Sequence, residues 1–186
     1  MASFIITIIL FSSYYEGVGL EVGRGYFKNI GEPSLFGIYY ILPISKHFEI
    51  EATSEYWQMS YSKKIGARSL RCTFCDMYFT NTGVYKVNLA TNKIIFKAGA
   101  GIGVHLLKNS VADKLTRPGI IITDYYALTD NTLGLHALAG LDIRILPRLL
   151  LFTRIRWLFI LTEGDVFYTR GNIKAQHILL GSIWIF

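Results

Sequence analysis

The feature that most constrains the fold is an alternation of side-chain character across residues 133–161. Along its first half one parity is wholly apolar, while the other mixes glycine with other residues, Asp142 and Arg144 among them. After a short break the alternation resumes, and Arg154 and Arg156 share the mixed parity. A period of two indicates β-strands, whose side chains point alternately to opposite faces. A long apolar face opposite a mixed, charged face is typical of a strand with lipid outside and a packed polar interior.

The same alternation recurs in other parts of the chain, and eight strands are predicted in all. They are residues 18–27, 34–42, 48–61, 76–88, 93–108, 133–146, 149–161 and 172–186. A tilted strand needs about 9 to 11 residues to cross a bilayer, whereas an ordinary strand has about 5 to 6. Hydrophobic residues make up 52% of the chain, yet no apolar run reaches the length of about 18 that a spanning helix needs.

The links between these strands alternate in length. The short ones are residues 43–47, 89–92 and 146–148, and the others, mostly longer, are 28–33, 62–75, 109–132 and 162–171. Outer-membrane barrels join their strands by short periplasmic turns and long extracellular loops in this order. The pattern predicts a closed, eight-stranded, antiparallel up-and-down transmembrane β-barrel.

The interior of such a barrel is expected to hold a network of ion pairs. Charged residues of the mixed parity are Glu21, Glu49, Glu51, Glu55, Lys97, Asp142, Arg144, Arg154 and Arg156. Eight strands enclose a space just wide enough to be filled by side chains, and buried charges must be paired. We therefore expect a structural network in a filled lumen, with Gly99, Gly101 and Gly103 leaving room for bulky neighbours. The alternative is an ion or proton path, which a filled lumen disfavours.

The net charge of +6 is spread along the chain, which favours a solvated or paired surface over nucleic-acid binding. One basic cluster stands apart in an expected loop: Lys63, Lys64, Arg68 and Arg71. These cations could contact the phosphates of outer-leaflet lipid, although an ordinary solvated loop is the alternative.

Two further pairs of residues suggest chemistry. His105 and His136 share the inner parity near the outer mouth, but no third metal ligand is evident, so we expect paired polar lining and no metal. Cys72 and Cys75 could form a local disulfide in an oxidising compartment, or they could be two unrelated thiols.

Several segments resemble the small outer-membrane β-barrel family of Gram-negative bacteria, of the OmpA-transmembrane and OmpX type. They are residues 97–105, 133–142 and 147–152, and the terminal Gly181-Ser-Ile-Trp-Ile-Phe186. The resemblance covers about residues 17–186 and implies residence in the bacterial outer membrane. It implies contact with outer-membrane lipid and lipopolysaccharide, and assembly by the barrel-assembly machinery with Phe186 as its signal. The apolar inner residues Leu179, Ile183 and Ile185 depart from the family pattern.

The chain divides into residues 1–15 and a barrel domain of residues 16–186. The apolar segment 4–11 resembles the core of an export signal, although no Lys or Arg precedes it. Residues 1–15 are therefore expected to be a clipped or atypical signal, or alternatively an extra apolar segment.

Three functions remain open. The first is a non-enzymatic barrel without cofactor, serving a structural or surface-interaction role through its long loops, with an unknown surface partner. The second is a lipid A-modifying enzyme, which needs an outward Ser beside a His; His177 is the nearest candidate, but Leu179 stands where the Ser is needed. The third is a soluble lipocalin-like carrier, which predicts apolar residues inside and charges outside.

Overall fold

The computed structural model describes residues 16–27, 31–89, 93–118, 120–162 and 172–186, with the backbone alone at 61, 63, 65 and 117. The predicted signal segment, residues 1–15, lies outside the described residues. Within the described part of the chain, no helix is long and apolar enough to cross a membrane.

The strands form one closed ring. In chain order they are β1 (Gly17–Phe27), β2 (Ser34–Pro43), β3 (Phe48–Ile65), β4 (Arg68–Leu89), β5 (Ile94–Arg117), β6 (Ile120–Leu146), β7 (Leu149–Leu161) and β8 (Ile173–Ile185). Each strand pairs antiparallel with its neighbour in sequence, and β8 closes the ring against β1. The predicted closed eight-stranded up-and-down barrel is therefore confirmed, and β7 has the predicted bounds.

The two faces of the sheet are sorted as the alternation requires. Along β7, buried and exposed side chains alternate: Arg154 and Arg156 are buried, and Ile155 and Trp157 face outward. The outward parity of this strand, from Leu151 to Leu161, carries no charge. Because the charges lie inside and the apolar residues outside, the lipocalin-like alternative is wrong.

Four strands extend further than the sequence pattern predicts. Residues 62–75 and 109–132, expected to be loops, are instead continuous hydrogen-bonded hairpins of β3 with β4 and of β5 with β6. The first hairpin turns at Gly66, whose φ of 59° lies in the left-handed region that glycine adopts without strain. Because β4 also pairs with β5 up to Arg68 and Leu115, β3 to β6 form one sheet, here called the protruding sheet, that extends beyond the barrel.

The two ends of the barrel differ accordingly. The hairpin end carries the protruding sheet. The turn end carries the short turns at residues 44–47 and 147–148. It also holds the start of β1 and the end of β8, where the Phe186 N–H donates to the Glu16 carbonyl at 2.9 Å. The lumen between these ends holds the charged residues.

Candidate functional site

The half of the lumen nearer the turn end is organised around Arg154. Its guanidinium donates to both oxygens of Glu51, from Nη1 at 2.6 Å and from Nη2 at 2.9 Å. The same group lies 3.8 Å from Asp142 and stacks over the rings of Phe152 and Tyr39, at 4.3 and 4.9 Å from their centroids. A forked, charge-assisted contact of this kind fixes the direction as well as the distance of both side chains.

Lys97 joins the remaining acids of this half. Its Nζ lies 2.5 Å from Glu49, 2.8 Å from Asp142 and 3.3 Å from Glu51. Lys86 contacts Glu49 from the other side at 2.8 Å. These contacts, with those of Arg154, place three cations against three carboxylates, so this part of the interior is electrically balanced.

A second cluster lies nearer the hairpin end, around Glu55. Arg156 forms an ion pair with Glu55 and lies 3.7 Å from Glu21. The Tyr78 hydroxyl donates to Glu55 and lies 3.0 Å from Nδ1 of His177. The predicted residues Glu51, Glu55, Arg154 and Arg156 thus meet across the lumen in two separate pairs.

Apolar and aromatic side chains close the lumen beyond the second cluster. Phe27 and Trp57 pack with ring centroids 4.4 Å apart, and Trp57 is buried. Leu107, Phe74 and Val111 belong to the same buried cluster of side chains. The described interior therefore has charged groups in its middle and apolar groups at the hairpin end.

The two predicted histidines have separate partners. His105 lies 2.7 Å from Asp76 through Nδ1, and His136 lies 2.6 Å from the Thr82 hydroxyl through Nε2. The described residues contain no group of three or more side chains that could hold a metal ion. Glycine leaves the space that the His105 ring occupies, because a Cβ on Gly134 would overlap that ring.

Arg144 is the predicted network residue that the structure leaves outside both clusters. It is half-buried at the turn end, and it has no ion pair among the described residues. Asp142, two residues earlier on the same face of β6, is fully buried and paired with Lys97. The pairing of β6 with β7 shifts register just beyond Arg144, before Leu146 pairs with Leu149.

The basic cluster is divided between two faces of the protruding sheet rather than lying in a loop. Arg68 donates from Nε to Asp113 at 2.8 Å, which holds the pKa of that carboxyl below its usual range. Arg71 is exposed on the other face of β4 from Arg68. Lys64, also exposed, lies on the same face as Arg71, because it pairs with Ser69, which shares the parity of Arg71. Lys63 lies in β3 by its backbone, and its side chain is outside the described atoms.

The two cysteines lie on opposite faces of β4. Cys72 is buried, whereas Cys75 is half-buried on the outward parity, and both are free thiols. Residues three apart on one strand point to opposite sides, so the local disulfide is excluded in this fold.

The sequence reasoning missed several members of the network, among them Asp76, Tyr78, Lys86 and His177. Asp76 and Tyr78 lie in a stretch whose alternation is blurred at Thr80, although their parity matches that of the buried Thr82. His177 was weighed only as the nearest candidate for the histidine of a lipid A-modifying enzyme, and the absence of a Ser at Leu179 spoke against it. Its side chain is fully buried in the lumen, 3.5 Å from Glu55.

Comparison with solved structures places this fold among known bacterial barrels. Neisserial surface protein A matches with a TM-score of 0.58 and 14% identity, over 92% of this chain and 96% of that one. Ail, the attachment invasion locus protein of Yersinia pestis, in complex with the heparin analogue sucrose octasulfate, matches with a TM-score of 0.55 and 12% identity, over 92% and 97%. A major outer membrane protein of Thermus thermophilus matches with a TM-score of 0.62 and 10% identity, over 93% and 100%.

These matches agree with the predicted resemblance to small eight-stranded outer-membrane barrels and with the predicted outer-membrane location. At these identities they establish the shared fold. No family model matches the chain, and none of the curated proteins matches it.

Proposed function

We propose that this chain, which has the fold of the small eight-stranded outer-membrane barrels, is a non-enzymatic integral protein of a bacterial outer membrane. Its role is surface interaction through the protruding sheet, and its lumen is a structural filling rather than a pore. The supporting observation is the free edge of β6 in that sheet.

That edge is long and unpaired among the described residues. From residue 120 to 132, β6 pairs with β5 on one side, while β7 begins its pairing with β6 only at Leu133. Side chains of residues 120–129 are all exposed, and they include Ile121 and Tyr125 at 64% and 79% exposure. A strand edge exposes a row of N–H and C=O groups that another chain can pair with.

The partner best matched to this edge is an extended segment of another protein. Strand addition supplies affinity through main-chain hydrogen bonds, and alternate side chains supply specificity. A large exposed apolar surface on a soluble part of a protein marks an interaction site. The apolar side chains beside the edge would then be covered by the side chains of the added strand.

The packed lumen supports the non-pore part of the proposal. Arg154, Arg156 and Trp57 are almost wholly buried, so their side chains occupy the space through which ions would pass. In planar bilayers we expect the purified barrel to give no steady current above the lipid baseline. A stable channel current would contradict a filled lumen.

We also propose that part of the basic cluster contacts the phosphates of outer-leaflet lipid. Lys64 and Arg71 are free to meet an anionic surface because they face outward, whereas Arg68 is engaged by Asp113. As part of the same proposal, Phe186, which is 64% exposed at the turn end, is the signal read by the barrel-assembly machinery.

The experiment selects binders from a phage-displayed library of short random peptides, with the barrel held in nanodiscs. We expect enriched peptides to have alternating apolar residues and to lose binding to a Thr123→Lys variant, because a charge on an edge strand opposes strand addition. Ser62→Lys is the matched control, since it adds the same charge to the opposite edge of the protruding sheet, where β3 pairs with β4 alone; binding at the β6 edge should survive it. Peptides that bind both variants as well as wild type, or no enrichment, would contradict the proposal.

A further inference from the structure

The turn end of the lumen contains a cavity that borders the ion-pair cluster around Arg154 and Lys97. Its volume is about 180 Å³, and every strand of the ring contributes to its wall. One side is apolar, formed by residues such as Ile41, Leu150 and Ile183. The other side is charged, with Lys46, Lys86, Lys97, Arg144 and Glu49. In liquid water one molecule takes about 30 Å³, so the space accommodates a small hydrated solute.

The charges on this wall are unbalanced. Glu49 is the carboxylate of the wall, and it is already held between Lys86 at 2.8 Å and Lys97 at 2.5 Å. The deeper acids Glu51 and Asp142 are engaged with Lys97 and Arg154. Among the described residues, neither Arg144 nor Lys46 forms an ion pair with a carboxylate.

Arg144 itself carries an unused donor. Its Nε is shielded from solvent and makes no hydrogen bond to any described group. A buried donor left without an acceptor is costly, by about 1 to 3 kcal/mol. Arg144 as a whole is half-buried, lines the cavity and has no ion pair among the described residues, so its guanidinium remains available to a ligand there.

We propose that this cavity is a binding site for a small oxyanion of the phosphate or sulfate type, held by Arg144 and by Lys46 at the rim. A guanidinium suits such a ligand because its donors form a planar fork that two oxygens of one anion can accept together. The apolar opposite wall limits the size of the ligand and keeps the anion beside the cations. This site lies at the other end of the barrel from the β6 edge and does not depend on the proposed surface interaction.

The test measures binding of inorganic phosphate by calorimetry, with the barrel in nanodiscs of zwitterionic lipid and sodium chloride at equal ionic strength as reference. We expect saturable binding by wild type. Arg144→Gln should weaken it about ten- to hundredfold, the equivalent of one lost hydrogen bond to a charged group. Inorganic sulfate should compete, since it presents the same oxygens.

Arg148→Gln is the matched control, because Arg148 is an exposed arginine at the same end that does not line the cavity. It should bind phosphate as wild type does. If Arg144→Gln fails to fold, Lys46→Gln replaces it: Lys46 is exposed, and its loss should weaken binding several-fold. Absence of saturable binding, equal binding by the cavity variants, or an equal loss in Arg148→Gln would overturn the proposal.

Discussion

Arg154 and Glu51 connect opposite sides of the barrel. They lie on β7 and β3, which are separated by three strands in either direction around the ring, and their two hydrogen bonds measure 2.6 and 2.9 Å. Each side chain is fully shielded from solvent. The pair therefore acts as a cross-brace. When one of the two side chains is removed, the other stays buried and cannot hydrogen-bond to water instead.

Breaking this brace should destabilise the barrel strongly. We expect Glu51→Gln and Arg154→Met each to lower the free energy of unfolding by about 3 to 5 kcal/mol, because each leaves a buried charge without its main partner. The double variant should lose less than the sum of the two, with a coupling of about 0.5 to 3 kcal/mol. Urea unfolding from lipid vesicles, followed by tryptophan fluorescence, measures these values.

Arg148→Gln provides the control for this experiment, since it removes an exposed arginine just before β7. It should change stability by less than about 0.5 kcal/mol. Additive effects of the Glu51 and Arg154 substitutions would show that the two residues do not stabilise each other.

The glycines of the lumen should be intolerant of even one added methyl group where they face a brace residue. A Cβ on Gly140 would lie 2.7 Å from Cγ of Arg154 and 2.6 Å from the Thr153 carbonyl oxygen. We expect Gly140→Ala to cost about 1 to 3 kcal/mol through overpacking. Gly83→Ala is the control, because its Cβ would meet nothing nearer than 3.9 Å. Equal unfolding midpoints for the two variants would contradict the packing described for the lumen.

The ion pair of the protruding sheet should set a pH dependence outside the membrane. The ordinary pKa of Asp113 is 3.8, and the hydrogen bonds from Arg68 lower it. A lowered carboxyl pKa means that the pair stabilises the hairpin above about pH 4 and ceases to do so as the pH falls through the folded-state pKa. Asp124, which pairs with Asp113 across β5 and β6, is the nearest other acid of this hairpin by register.

NMR titration of the Asp113 carboxyl measures this effect. Arg68→Gln should raise the Asp113 pKa towards its ordinary value, while Arg71→Gln, on the opposite face of β4, should leave it unchanged. A titration that is the same in wild type and Arg68→Gln would show that the pair does not form in solution.

The sequence alone predicts the part of the fold that lies within the bilayer. Side chains alternate at Ile155, Arg156 and Trp157 because the face toward lipid requires apolar residues and the face toward the lumen accepts polar ones. Beyond the membrane both faces of a strand meet water, so the sequence need not alternate between apolar and polar residues. Residues 120–122 are three consecutive isoleucines, all exposed, so no period of two marks them as a strand.

The site was predictable in its residue types but less so in its pairings. Parity alone places Arg154, Arg156 and the three glutamates of β3 inside, whereas the choice of Glu51 for Arg154 depends on the stagger between opposite strands. Arg144 has the correct parity but lies beside a register shift at the rim, where it leaves the network. His177 was not recognised because its neighbours Leu179 and Ile183 gave the inner face of β8 an apolar character.

The orientation of the barrel wall tests the account most directly. In a background of Cys72→Ala and Cys75→Ser, single cysteines at Ile155 and Tyr125 are exposed to a membrane-impermeant maleimide with the folded protein in lipid vesicles. We expect Tyr125→Cys to react rapidly and Ile155→Cys to react only after unfolding, because the outward face of β7 meets lipid. Labelling of folded Ile155→Cys at the rate of Tyr125→Cys would contradict a membrane-spanning barrel.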